Sequence, residues 1–221
     1  MARQSAFELH LDRTKASLLG HGRHAEVYKA LIHPLSVPMR DYLLSRRTTH
    51  RKSCADLFQI GPVLTPQTLF KCAAKCLFAD GESQSVGLAE AEILRRLHSH
   101  HEDHNGRQHL VDYYGLYDQT RELGISSSED NDRQKGASVT EGQGEWALLL
   151  EYCQHGSIWD WIRQHPDRVG FRQWLTWALQ LIEAVDYIHE AGLVHHDIKP
   201  HNILVSLGKN DGYGCSKVWL S

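Results

Sequence analysis

The chain has 221 residues, 41% of them apolar, and a net charge of −3. That is enough for one good core or two small lobes, and it excludes a globally disordered chain; the near-neutral balance argues against a dedicated nucleic-acid binder, which would carry a clustered basic excess. No apolar run approaches the length needed to cross a bilayer, and the start MARQSAFELH lacks the apolar stretch of a secretory signal, so no membrane partner is expected. The default location is cytoplasmic, with the nucleus also open. Five scattered cysteines, Cys54, Cys72, Cys76, Cys153 and Cys215, fit reduced thiols in the cytosol better than a disulfide framework.

In chain order, residues 15–32 begin apolar, break at glycines and resume with Val27, Tyr28 and Leu31, which predicts two strands joined by a tight turn. Residues 33–66 contain Pro34, Pro38, Pro62 and Pro66 and the basic patch Arg46, Arg47, His50, Arg51 and Lys52, and read as an inserted loop with a solvated charge run. LFKCAAKCL, from Leu69 to Leu77, reads as a buried strand with Ala73 and Lys75 on one side and Cys72, Ala74 and Cys76 on the other. GLAEAEILRRL, residues 87–97, places Leu88, Ala91, Leu94 and Leu97 at helical intervals and bears Glu90. His98, His100, His101 and His104 alternate with Glu102, Asp103 and Asn105 and have no cysteine pair, so a solvated loop is expected there rather than a metal site.

Two further strands follow, His109 to Leu116 and Ala147 to Tyr152, separated by a polar insert at about 119–145. IWDWI after Gly156 predicts a short helix and Phe171 to Ala191 a long amphipathic one, with an apolar stripe of Leu175, Ala178, Ile182, Val185 and Ile188 and an end at Gly192. Strands with one helix, then mainly helices, predict an α+β chain of two lobes joined near residues 151–156.

The most specific chemistry lies at residues 195–205, HHDIKPHNILV. At this spacing the carboxylate of Asp197 can accept a hydroxyl proton, the ammonium of Lys199 can neutralise phosphate charge, and the amide oxygen of Asn202 can hold a metal ion bridging phosphates. Ile203, Leu204 and Val205 predict a strand that anchors the loop. Upstream, Lys75 stands among Cys, Ala and Leu, where an unpaired ammonium would suffer a desolvation cost of several kcal/mol, so a pairing role is expected for it.

The stretch resembles the catalytic loop of eukaryotic protein kinases, HRDxKxxN, and the Lys-Pro pair looks like the serine/threonine branch. His196 stands where the pattern has arginine, which puts the link from that arginine to a phosphorylated activation loop in doubt. Leu19 to Val27 resembles the glycine-rich loop, with Gly20 and Gly22 in place and Ala25 where a third glycine is usual; glycines let backbone amides approach phosphate oxygens. CAAK, residues 72–75, resembles the VAIK strand, which makes Lys75 the candidate for the α- and β-phosphates and Glu90 the helix carboxylate that holds it, with Glu92 as the less well-placed competitor.

LLLEYCQHGSI, residues 148–158, looks like the kinase hinge. There the resemblance implies that Leu150 guards the back of the pocket, that the backbone of Glu151 and Cys153 bonds the adenine edge, and that Val27, Ala73 and Leu204 sandwich the purine, with Leu19 at the loop's start. The expectation is a kinase-like bilobal fold, with a small β-rich lobe over 15–150 and a hinge and partial helical lobe over 151–221. ATP and magnesium are the implied cofactors, with Asn202 on the metal, and a protein bearing serine or threonine is the implied substrate.

KVWLS, residues 217–221, resembles the strand leading to the Asp-Phe-Gly triplet, which does not follow. With the triplet go the main magnesium aspartate and the activation segment, so the 221 residues alone are expected to be poorly stable or inactive. Three readings stay open: a fragment of an active serine/threonine kinase, a non-catalytic nucleotide-binding or regulatory module, and a small-molecule phosphotransferase of similar fold, which the Lys-Pro pair disfavours.

Overall fold

The computed structural model describes residues 7–49, 69–100, 104–121, 145–207 and 214–218, and all structural statements concern these. Strand β1 (Phe7–Leu11) and β2 (Leu18–His21) both pair antiparallel with β3 (Ala25–Pro34), β1 along residues 30–34 and β2 along 26–28, so residues 7–21 form one interrupted edge. The β2–β3 hairpin is the glycine-turn hairpin expected from the sequence; β1 was not anticipated. Beyond β3 come β4 (Phe70–Leu77), β6 (Trp146–Glu151) and β5 (Tyr113–Asp118), in the sheet order β1-β3-β4-β6-β5.

Side-chain alternation splits the sheet into two faces. Cys72, Ala74 and Cys76 of β4 join Phe7, Ile32, Ala147 and Leu149 in one core, whereas Ala73 and Leu77 join Leu148 and Leu150 in the other. Helix α2 (Gly81–His98) covers the second face with Ala91 and Leu94. The first is covered by helix α1 (Val37–Thr49), whose Leu43 is buried in that core with Met39, Tyr42 and Leu44 packed around it.

Helix α1 replaces the first part of the loop expected over 33–66. Pro38 marks the helix start rather than a break: it lies in the first turn, where a missing N–H costs nothing, and Ser36 accepts from the amides of Met39 and Arg40. The rest of that insert, the side chains of its basic patch and most of the second insert lie outside the described residues. The strand expected at His109 begins only at Tyr113, because residues 105–112 are held off the sheet by a 3-10 turn (Asn105–His109) and a buried Arg107–Asp112 ion pair.

The helical part consists of α3 (Ile158–Gln164), α4 (Phe171–Glu190) and the ribbon of β7 (Ile203–Leu207) and β8 (Gly214–Val218). Helix α4 ends as expected: Gly192 has φ 73°, its N–H donates to His189 O and that of Leu193 donates to Ile188 O, which closes the last turn. The buried face of α4 differs from the expected stripe. Gln173, Trp177, Ala184, Tyr187 and Ile188 face the protein, while Leu175 is 42% and Ile182 63% exposed. The helix is apolar around more than one face, and its neighbours select the buried one: Leu97 and Leu110 meet Ala184, Tyr187 and Ile188, and Trp161, Ile203 and Val205 meet Trp177. No described helix is long and apolar enough to cross a membrane.

Candidate active site

A cleft of about 1040 Å³ runs between the sheet and the helical part, and it gathers residues from both ends of the sequence. Leu19, Gly20, Gly22, Ala25 and Val27 come from the β2–β3 hairpin, Ala73 and Lys75 from β4, Glu90 from α2, Glu151 and Cys153 from the segment after β6, and Asp197, Lys199, Asn202 and Leu204 from the loop and strand after α4. Leu150 is the one sequence-predicted site residue that does not line it; it is buried behind the wall, paired in register with Ala73. Lys75 and Asp197 therefore share one cavity.

Lys75 is directed inward by the alternation of β4, and Glu90 by its place on α2. Their Nζ and Oε2 atoms lie 2.5 Å apart. Burial raises the Glu90 carboxyl above its ordinary pKa, an effect that the Lys75 ammonium only partly offsets. The other oxygen of Glu90 is buried without a hydrogen-bond partner among the described residues. Glu92, the alternative partner, instead bonds Arg95 on the exposed side of α2.

The catalytic-loop stretch owes its shape to one unusual residue. His196 has φ 58°, a left-handed conformation in which histidine is tolerated better than most side chains. That turn sends His195 into the protein, where its Nδ1 accepts the Asp197 N–H at 3.2 Å, and aims Asp197 at the cleft. Asn202 then holds the aspartate: its Nδ2 donates to Asp197 Oδ2 at 2.8 Å and to Asp197 O at 3.0 Å. Lys199 Nζ stands 2.7 Å from the same Oδ2, and both side chains are about half exposed.

A triphosphate and a hard divalent cation fit these residues. A methyl group at Gly20 would meet no protein atom within 4 Å, and one at Gly22 only Ala25 O at 3.5 Å; neither glycine has a positive φ. Both glycines thus leave open space over the backbone, into which a ligand oxygen fits. Val27 and Leu204 pack against the core cluster that contains Ala73, and all three line the cleft as its apolar part. Asn202 spends its amide nitrogen on Asp197, so the atom it presents to a cation is an oxygen, the donor that magnesium prefers. The Glu151 N–H donates to Asp112 O at 2.8 Å, which ties the end of β6 to the residue just before β5.

The cleft also contains residues that the sequence reading passed over, among them His155, Asp160, Trp161, His165 and His201. One signal was available: Ser157 and Asp160 form a reciprocal cap at the start of α3, with Ser157 Oγ accepting the Asp160 N–H at 3.1 Å and donating to Asp160 Oδ2 at 2.6 Å. His155 is lowered from its usual pKa, first by burial and then by His165.

The histidines at 98–104 do not converge on one another: His98 contacts Tyr42 and Arg107, His100 packs on Tyr187, and His101 is outside the described residues. His104 Nε2 instead lies 3.7 Å from Asp186 and 3.6 Å from Glu190, while its Nδ1 accepts the Gly106 N–H, so the ring proton sits at Nε2 and faces the carboxylates. Cys72, Cys76 and Cys153 are buried thiols outside any disulfide among the described residues; burial pushes the Cys72 thiol up to about 12 and that of Cys76 to about 11, which keeps both in the inert thiol form.

Residues 68–217 match the family model described as the protein kinase domain. Similar proteins include the probable serine/threonine-protein kinase C70.05c of Schizosaccharomyces pombe, 34% identical over 61 residues, and the serine/threonine-protein kinase Nek9 of Mus musculus, 39% identical over 74 residues. These alignments take in 28% and 32% of this chain and 8% of each relative, so the chain spans a small part of the length of the curated relatives it matches.

Proposed function

The chain belongs to the protein kinase family, and from that premise we propose that it carries the nucleotide site and catalytic loop of an enzyme that transfers the γ-phosphoryl group of ATP to serine or threonine of a protein substrate. The carrying observation is convergence: the Lys75–Glu90 pair and the Asp197–Lys199–Asn202 group lie far apart in sequence and line one cleft. When bound, ATP would supply the phosphoryl group, and a magnesium ion, which Asn202 would help to hold, would neutralise phosphate charge.

The protein's own part is positioning and proton transfer. Asp197 Oδ accepts the hydroxyl proton of the substrate, and Asn202, bonded to that carboxylate, fixes its direction. Lys199 moves between Asp197 and the negative charge that develops during transfer, a shift that its half-exposed side chain permits. Lys75, held by Glu90, fixes the α- and β-phosphates; the backbone around Gly20 and Gly22 covers them. Val27, Ala73 and Leu204 exclude water from the purine faces, while Glu151 and Cys153 offer backbone groups to its edge, with Leu150 behind. A cytoplasmic setting suits Cys72, Cys76 and Cys153, which form no disulfide among the described residues.

Asp197→Asn tests this reading. The substitution keeps the shape and removes the base, so ATP affinity by calorimetry should stay within about twofold while transfer to a Ser/Thr peptide falls about 100- to 10,000-fold. Equal transfer rates in both proteins would refute the assignment. A wild-type chain, continued as far as its transcript encodes, that binds ATP and phosphorylates nothing would favour the non-catalytic module instead.

A further inference from the structure

A line of polar contacts connects the inserted helix α1 to the hinge, and none of its side chains has a part in the chemistry above. Tyr42 of α1 stands edge-on to the ring of His98, the last residue of α2, with centroids 5.5 Å apart, and its hydroxyl is 2.9 Å from His98 Nε2. Nδ1 of the same ring lies 2.5 Å from Arg107 Nη2. Arg107 Nη1 donates to Asp112 Oδ1 at 3.1 Å, and these two side chains are only 8% and 2% exposed. The main chain of Asp112 then brackets the first hinge residue: Asp112 O accepts the Glu151 N–H at 2.8 Å, and Asp112 N donates to Glu151 Oε2 at 3.3 Å.

Elementary chemistry sets the polarity of this line. A guanidinium only donates, so His98 Nδ1 must hold a lone pair and the ring proton must sit at Nε2, where the Tyr42 oxygen accepts it. In the other tautomer an Nδ1–H would point at the guanidinium N–H groups, and an imidazolium would add like charge. His98 thus has one state that keeps Arg107 in place and two that expel it. Arg107 selects the first state, and Tyr42 receives the proton which that choice leaves on the outer nitrogen.

We propose that α1 controls the nucleotide cleft: when Tyr42 is docked on His98, the line through Arg107 and Asp112 holds Glu151 where its carbonyl meets the adenine edge. Tyr42, His98 and Arg107 are positioning residues, and undocking α1 loosens the hinge. This rests on the nucleotide-binding reading above, and its test separates the two.

The full chain is compared as wild type, Tyr42→Phe, His98→Phe and the double variant, by calorimetric titration with Mg-ATP and by 1H–15N spectra recorded without nucleotide. Tyr42→Phe removes one oxygen and keeps the ring packing. The expected result is an ATP dissociation constant raised about fivefold or more, shifted amide resonances at Asp112 and Glu151, and a double variant no weaker than His98→Phe alone, since both changes cut the same link. A purely structural role would lower the melting temperature and leave ATP affinity measured below the melt unchanged.

Wild-type affinity and unshifted hinge amides in Tyr42→Phe overturn the relay and leave the kinase reading standing. Effects that add fully in the double variant overturn the route through His98. A wild-type chain that takes up no ATP removes the nucleotide-binding reading, and the amide shifts, read in its absence, still accept or reject the link.

Discussion

Lys75 and Glu90 have side chains only 15% and 11% exposed, so neither charge has much water to replace the other. Breaking such a pair from one side costs about 3–5 kcal/mol, because the survivor is left charged and buried. Lys75→Met should therefore act twice: transfer falls about 100-fold or more, and the melting temperature drops at neutral pH. The pH dependence follows from the raised pKa of Glu90. The folded protein holds that proton more tightly than the unfolded chain does, so stability falls as pH rises from the ordinary carboxylate range through the folded value. The Lys75→Met deficit should accordingly narrow as the pH is lowered toward the Glu90 pKa; melting curves at several pH values check it, and a deficit independent of pH would argue against a buried glutamate as its source.

Helix α2 carries Glu90, so its first turn matters to the site. Asp80 caps it by accepting the Ser83 N–H at 2.8 Å, Glu82 adds favourable charge to the first turn, and Arg95 and Arg96 do so in the last. The Ser83 bond holds the Asp80 carboxyl below its ordinary pKa. Its contribution is present in full above about pH 4 and is lost as the pH falls through the lower folded value. Asp80→Ala should lower the melting temperature at pH 7 and have a diminishing effect below about pH 4, whereas a constant effect would indicate that the charge is irrelevant to the cap. Sequence signals at this scale were uneven. The pattern at 87–97 revealed the helix but not its start six residues earlier, because Gly81 and the polar residues after it hide a helix whose beginning is fixed by its cap. Pro38 was read as a loop signal although it occupies a first turn, where proline is allowed.

The two lobes meet around the 3-10 turn at Asn105–His109, which lies against α4. Tyr187 of α4 is fully buried, and its hydroxyl lies 2.5 Å from Leu97 O and 2.8 Å from His100 O, which ties α4 to the end of α2 and the residues just after it. Gly106 lies against α4 so closely that a methyl group there would sit 1.9 Å from Glu183 O. Gly106→Ala must push the turn off α4, which overpacking data put at about 1–3 kcal/mol. A melting temperature lower by several degrees, with weaker ATP binding as the lobes lose their registry, is the expected result. An unchanged melting curve would mean that the turn can move without cost.

What the sequence determined by itself is local in origin: the alternation of β4 that turns Lys75 away from Cys72 and Cys76, the hairpin within residues 15–32, the end of α4 at Gly192, and the residue types at 195–205 whose spacing fits phosphoryl transfer. Each depends on neighbours within a few positions, which is the range over which periodicity and capping act. The tertiary structure set Lys75 on Glu90, the partner the resemblance implied, and Glu92 on Arg95, and it alone decided which face of α4 is buried and that α1 covers the sheet and reaches the hinge through His98, Arg107 and Asp112. These depend on contacts between segments distant in the chain, where several apolar faces and several charged partners compete and the winner is set by packing geometry rather than by composition.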